Sequence, residues 1–220
     1  YYLLLMIKDS FFTIEAPEKG EYKEKGSKFL AYAFPFSVET ELEPIMEKIK
    51  DEHPKARHYC YAYRIGLDMN KFRANDDGEP SGTAGKPILG QIQSFNITNV
   101  VIVVVRYFGG TKLGASGLIH AYKTAAKEAL DNANIVENFI YTQYLFNFGY
   151  DHMGHILSVI KENNIDIIHK TFETDCQLTI GIRLSEEAEK LIDIKAGILN
   201  ITKEEASLID EIPFCIIQKC

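Results

Sequence analysis

The chain has 220 residues, 46% of them hydrophobic and 25% charged, with a net charge of −7 at pH 7. That is globular composition, long enough for two domains, and no apolar run reaches the roughly 18 residues of a membrane-spanning helix. Repeats and low-complexity tracts are absent, which excludes solenoids and propellers, and Cys60, Cys176, Cys215 and Cys220 form neither a CxxC pair nor a disulfide scaffold.

Tyr1–Leu5 is short and lacks a basic flank, so it does not read as a signal peptide. A cytoplasmic protein with reduced thiols is expected, starting at Met6 with the five residues before it not native. Ser27–Phe36 reads as a strand. Ser37 then caps a helix reaching Asp51, with Leu42, Ile45, Met46 and Ile49 on one face. His53-Pro54 ends that helix and Tyr59–Ile65 forms the next strand. Asp76–Thr83 is a loop by its Asp, Gly, Pro and Ser content, followed by a helix over Ala84–Ser94. Val100–Val105 is a β-branched run of the kind buried on both faces of a sheet. It leads into the glycine-rich stretch Arg106–Gly117 and a helix that starts near Leu118. Asp131–Asn134 closes the helix and begins a linker, dividing a domain of residues 1–137 from one of residues 138–220.

In the second domain, Tyr144, Phe146 and Phe148 alternate as a strand and Asp151 caps a helix. Ile165–Phe172 and Leu178–Leu184 read as strands, Ser185 caps another helix with Gly197 at its end, and Ala206–Ile212 is the last strand. The order β-α-β-β-α-β suggests a ferredoxin-like domain, and the whole chain an α+β protein.

Charge is unevenly spread. Residues 1–137 carry 17 basic against 18 acidic side chains, and residues 138–220 carry 7 against 13. Residues 53–112 carry 8 against 4, a local excess of +4. An acidic second domain disfavours phosphate backbones, whereas the first leaves room for a basic patch.

Two loops are candidates for chemistry. Gly109, Gly110 and Gly114 lie between a buried strand and a helix, where exposed amides and close backbone approach favour an anion, and Arg106 and Lys112 add charge. Ala115-Ser116 after Gly114 rules out a P-loop, and GxGxxG is absent. The same glycines equally suit turning the chain and packing helix on sheet. Asp76, Asp77 and Glu79 place three carboxylates within four residues, enough to hold Mg²⁺ or simply to form a solvated turn. Lys55, Arg57 and His58 precede Tyr59, Tyr61 and Tyr63, a mixture that suits RNA stacking and neutralisation, or an ordinary tyrosine core. His152 and His155 lack a third ligand, so neither a metal site nor a catalytic constellation is expected.

Asp76-Asp77-Gly78-Glu79-Pro80-Ser81-Gly82-Thr83-Ala84-Gly85-Lys86-Pro87-Ile88-Leu89 and Val103-Val104-Val105-Arg106-Tyr107-Phe108-Gly109-Gly110-Thr111-Lys112-Leu113-Gly114 closely resemble the signatures of the Impact family, whose bacterial branch is called YigZ-like. His58–Arg64 fits the same pattern, and the resemblance extends over roughly residues 8–137. Ser116 departs from it, standing where the family commonly has glycine. The resemblance implies a first domain like the second domain of ribosomal protein S5. The tail is similar to the ferredoxin-like last domain of elongation factor G. Eukaryotic members regulate translation during amino-acid starvation by competing for a scaffold of a stress kinase. They do so with help from an extra N-terminal domain that these 220 residues do not contain, so that partner is not carried over.

Three readings follow. In the first, the protein is a translation-associated regulator that binds RNA or the ribosome without a cofactor. Arg57, Arg64, Arg106 and Lys112 contact phosphates, Tyr107 and Phe108 stack on a base, and His58, Ser81 and Thr83 belong to the same surface. In the second it is a Mg²⁺-dependent enzyme or sensor for a small phosphorylated ligand, with Gly109, Gly110 and Gly114 as the cradle and Asp76, Asp77 and Glu79 at the metal. In the third the loops are an interface for a protein partner. No membrane partner and no DNA sequence readout are expected.

Overall fold

The computed structural model describes residues 9–67 and 69–220; the expected start at Met6 lies outside them. They form two compact units, residues 10–138 and Asp9 with residues 139–220, each built of helices on antiparallel sheet. No helix among the described residues is long and apolar enough to cross a membrane.

The first unit runs β1 (Ser10–Ile14), β2 (Glu18–Glu24), β3 (Ser27–Pro35), α1 (Leu42–Glu52), β4 (His58–Ile65), β5 (Lys71–Asn75), α2 (Gly85–Ser94), β6 (Val100–Tyr107), α3 (Gly114–Asp131) and β7 (Ile135–Phe139). Strands β2, β3, β6, β4 and β5 form one sheet in that order, and β1 pairs with β7. β6 lies at the centre because its residues 100–106 are all buried, and a continuous β-branched run is stable only where both faces are covered.

The period-2 alternation of the strands sends different residues to the two faces. One face offers Phe29, Ala31, Ala33, Cys60, Ala62 and Val104 to α2 and to the alanine stripe of α3, Ala121, Ala125, Ala126 and Ala129. Small residues on both sides let α3 lie close: a Cβ on Gly20 would sit 2.3 Å from the Ala129 nitrogen. The other face offers Tyr32, Tyr59, Tyr61 and Tyr63 to the shorter α1, which needs large side chains to fill the layer.

The second unit contains β8 (Tyr141–Phe148), α4 (Met153–Glu162), β9 (Asp166–Phe172), β10 (Cys176–Arg183), α5 (Glu187–Leu199), α6 (Lys203–Ala206) and β11 (Cys215–Lys219). Its sheet order is β11-β8-β10-β9, with every pairing antiparallel. Asp9 accepts hydrogen bonds from Arg183 Nε at 2.6 Å and from the Ser185 amide at 3.0 Å. The Arg183 guanidinium holds its carboxyl well below the usual range, outweighing burial.

Several boundaries differ from the sequence expectation, each for a local reason. α3 begins at Gly114 rather than near Leu118, since Gly114–Gly117 enter its first turn despite their loop-like composition. No linker follows Asp131–Asn134; the chain enters β7 directly. Ser37, Asp151 and Ser185 do not cap α-helices, because a 3₁₀ turn precedes α1, α4 and α5. Gly197 lies inside α5, and the left-handed terminal residue is Asn200, at φ +53°. The expected strand Ala206–Ile212 is overturned: Thr202 and Glu205 form a capping box that starts α6, and the last strand comes later, at Cys215–Lys219.

Candidate nucleic-acid interface

The two signature loops meet through a buried ion pair. Arg106, near the end of β6, donates from a terminal guanidinium nitrogen to Glu79 Oε1 at 2.6 Å, and the Tyr122 hydroxyl of α3 donates to the same oxygen at 2.8 Å. Side-chain exposure is 7% for Arg106 and 3% for Glu79. Cys60 donates to the Tyr122 oxygen at 3.3 Å. Burial pushes the Cys60 thiol up to about 12 and the Tyr122 hydroxyl further still, so both stay neutral.

Asp76 organises the rest of the acidic loop. Its carboxylate accepts from the Gly82, Ala84 and Gly85 amides at 2.8, 2.9 and 2.9 Å, tying the loop to the start of α2. Burial opposes its charge, but the three amide donors outweigh it and hold its pKa below the ordinary value. A carboxyl depressed in the folded state stabilises above its unfolded pKa, and that contribution is lost as pH falls through the folded value. Asp77 accepts from the Tyr59 amide at 2.7 Å, and its carbonyl accepts from His58 Nδ1 at 2.8 Å. Thr83 is buried and donates to the Pro80 carbonyl at 2.7 Å. Ser81 is exposed.

All three acidic side chains are therefore engaged with protein donors, two of them by backbone amides and Glu79 by a buried arginine. Among the described residues no group of three or more His, Cys, Asp or Glu is placed to hold a metal. The carboxylates brace the loop beneath a basic surface.

That surface is a cleft of about 390 Å³ lined by Lys55, Arg57, His58, Arg106, Tyr107 and Phe108. Among the described residues no carboxylate lines it. His58 and Arg106 are direct partners across β4 and β6, which puts the loop before β4 beside the loop after β6. Arg57 is exposed, and Phe108 is 57% exposed with the Arg106 guanidinium 5.5 Å from its ring centroid. The Tyr107 hydroxyl lies 3.0 Å from His53 Nδ1, and His53 Nε2 meets the Tyr32 hydroxyl. Tyr32 in turn donates to Glu52 at 3.2 Å. Its oxygen is thus left to accept from His53 Nε2–H, and Nδ1 accepts from Tyr107. Burial lowers the His53 pKa, consistent with this neutral form. The chain of bonds fixes Tyr107 as a wall of the cleft.

The glycine loop follows Phe108. A Cβ on Gly109 would sit 1.9 Å from the Gly26 carbonyl carbon, and the Gly109 amide donates to Ser27 Oγ at 3.1 Å. Gly109 is thus required by packing against the β2–β3 turn. Gly110 and Gly114 adopt φ +86° and +71° with open space around them, so there the requirement is conformational. Lys112 is exposed.

Arg64 is not brought to this place. It pairs opposite Val100 at the far end of β4, six residues from His58, or about 20 Å along the strand. Its Nε donates to the Met69 carbonyl at 3.3 Å. His155 bonds the Ile198 carbonyl at 3.1 Å and His152 stacks on Phe214, which accounts for both helical histidines. Sequence reasoning weighed Lys55 only as part of a mixture, and it did not single out His53 or Lys25. The Lys25-Gly26 pair was a turn signal for the hairpin that carries Lys25; nothing local marked His53.

The fold and these two interlocked loops define an Impact protein: residues 25–130 match the Impact N-terminal domain, and the chain belongs to the Impact family. The IMPACT family member YvyE of Bacillus subtilis is 34% identical over 212 residues, covering 92% of this chain and 98% of that protein. YigZ of Escherichia coli is 33% identical over 161 residues, covering 71% and 79% respectively. A crystal structure described as that of a hypothetical protein superposes with a TM-score of 0.65 at 29% identity, covering 83% of this chain and 90% of that one.

Proposed function

We propose that this protein is a cytoplasmic, translation-associated regulator that binds RNA, free or within the ribosome, at the cleft of its first unit. The observation that carries this reading is the cleft lining: Lys55, Arg57 and His58 beside Tyr107 and Phe108, with no carboxylate among them. Cations neutralise phosphates and release counterions, while aromatic rings accept bases of any sequence. The three loop carboxylates are engaged with protein donors and none lines the cleft, which supports a polyanion as its occupant. The β-α-β-β-α-β order of the second unit, with its β11-β8-β10-β9 sheet, supports reading it as ferredoxin-like. The first unit is read as like domain 2 of ribosomal protein S5.

The test is a fluorescence-anisotropy titration with labelled RNA across a salt series. Log affinity should fall linearly with log salt, by about 0.7 per neutralised phosphate on a single strand. Lys55→Ala and Arg57→Ala should each flatten that slope by roughly one phosphate contact. Undetectable binding at low salt would remove the RNA reading and leave the cleft to an acidic protein partner.

A further inference from the structure

We infer that the cleft takes one unpaired nucleotide of single-stranded RNA, its base stacked on Phe108, and that the strand continues along Lys25 and Lys112. This rests on the reading of the cleft as an RNA site and specifies the form of RNA.

Size argues for a single nucleotide. At about 390 Å³ the cleft lies near the lower end of the 300–1,000 Å³ typical of small-ligand pockets. A duplex keeps its bases stacked inside and would present only phosphate and sugar to such a cleft, whereas an unpaired base can splay into it. Phe108 is the receiving surface. It is more than half exposed, it directly follows a buried strand, and Arg106 is held beside its ring by Glu79. The guanidinium beside the platform is therefore in place without any ligand.

His58 adds a polar contact of defined type. A carbonyl only accepts, so the bond to Asp77 places the proton on Nδ1. In the neutral ring Nε2 is then an acceptor for a base-edge amine or a ribose 2′-hydroxyl.

Beyond Phe108 the geometry extends the path. Gly109 is locked onto Gly26, so the turn bearing Lys25 lies against the start of the exposed segment that ends in Lys112. Lys25 and Lys112 are exposed and have no carboxylate partner among the described residues. The neighbouring Glu24 accepts from Tyr22 at 2.6 Å. Two unpaired cations thus follow the aromatic platform, the order in which a strand presents successive phosphates after a stacked base.

The experiment compares a labelled 12-nucleotide single-stranded RNA with the same sequence as a blunt duplex, using the full chain at fixed low salt. The single strand should bind at least about tenfold more tightly. Phe108→Ala should weaken the single strand by about 5- to 100-fold while leaving duplex binding unchanged, and Phe108→Trp should restore it. Phe108 is exposed, so both variants should melt with wild type. Lys25→Ala should flatten the single-strand salt slope. Equal affinity for the two forms, or Phe108→Ala binding both as wild type does, would overturn the single-strand assignment and leave RNA binding standing. An unchanged slope in Lys25→Ala would remove the extended path. Binding of neither form would overturn both this inference and the reading it rests on.

Discussion

Glu79→Ala is expected to cost about 3–5 kcal/mol of unfolding free energy, because it removes one partner of a buried ion pair and leaves the other charge without compensation. Arg106 cannot escape to water: its side chain is 7% exposed, and its Nε has no hydrogen-bond partner among the described residues even with Glu79 in place. Tyr122, fully buried against Phe29, would lose its acceptor in the same step. Urea unfolding of the variant measures the loss. A double variant, Glu79→Leu with Arg106→Met, should recover most of it, since an apolar pair of similar volume removes the uncompensated charge. A loss below about 1 kcal/mol in Glu79→Ala would place this pair among exposed salt bridges and remove the brace beneath the cleft. The double variant should still bind RNA poorly, because the Phe108 ring loses its guanidinium neighbour.

Gly109→Ala is the second large effect. The new Cβ would lie 1.9 Å from the Gly26 carbonyl carbon and 2.2 Å from the Ser27 nitrogen, both backbone atoms that cannot rotate away. The hairpin must move, breaking the bond from the Gly109 amide to Ser27 Oγ. Overpacking of a fixed backbone costs about 1–3 kcal/mol or more, and the lost bond adds about 1 kcal/mol. Thermal melting should show the drop, and RNA affinity should fall with it as Lys25 is displaced. Lys112→Ala, at an exposed position, should lower RNA affinity without moving the melting temperature. A Gly109→Ala protein melting with wild type would mean that the hairpin and the glycine loop do not meet.

What the sequence made legible follows from the range of each interaction. β4, α2 and β6 showed in the apolar pattern because burial on known faces imposes it residue by residue. β2 and β5 did not: Glu18–Glu24 and Lys71–Asn75 are sheet edges rich in charge, and their strand character comes from pairing with β3 and β4. The start of α3 was hidden because Gly114-Ala115-Ser116-Gly117 has loop composition, and only the packing of Leu118 and Tyr122 behind it commits those residues to helix.

The residue strings single out two loops that the fold brings together, but not how their side chains are shared out. Glu79 reaches Arg106 across 27 residues and Tyr122 across 43, and Cys60 reaches Tyr122 across 62. Such contacts leave no periodic trace. Three acidic residues within four positions suit either a metal or a solvated turn; in the fold Asp76 takes amides at the start of α2, Asp77 holds the start of β4, and Glu79 anchors an arginine.

If RNA is held in the cleft around Phe108, a bound strand must lie against that ring. Photo-cross-linking of a 4-thiouridine-containing single strand to the full chain, with the attachment sites located by mass spectrometry, tests it most directly. Cross-links on Tyr107 or Phe108 that are lost on competition with unlabelled RNA are the predicted result. Cross-links confined to residues 139–220, or spread over the surface without competition, would contradict it.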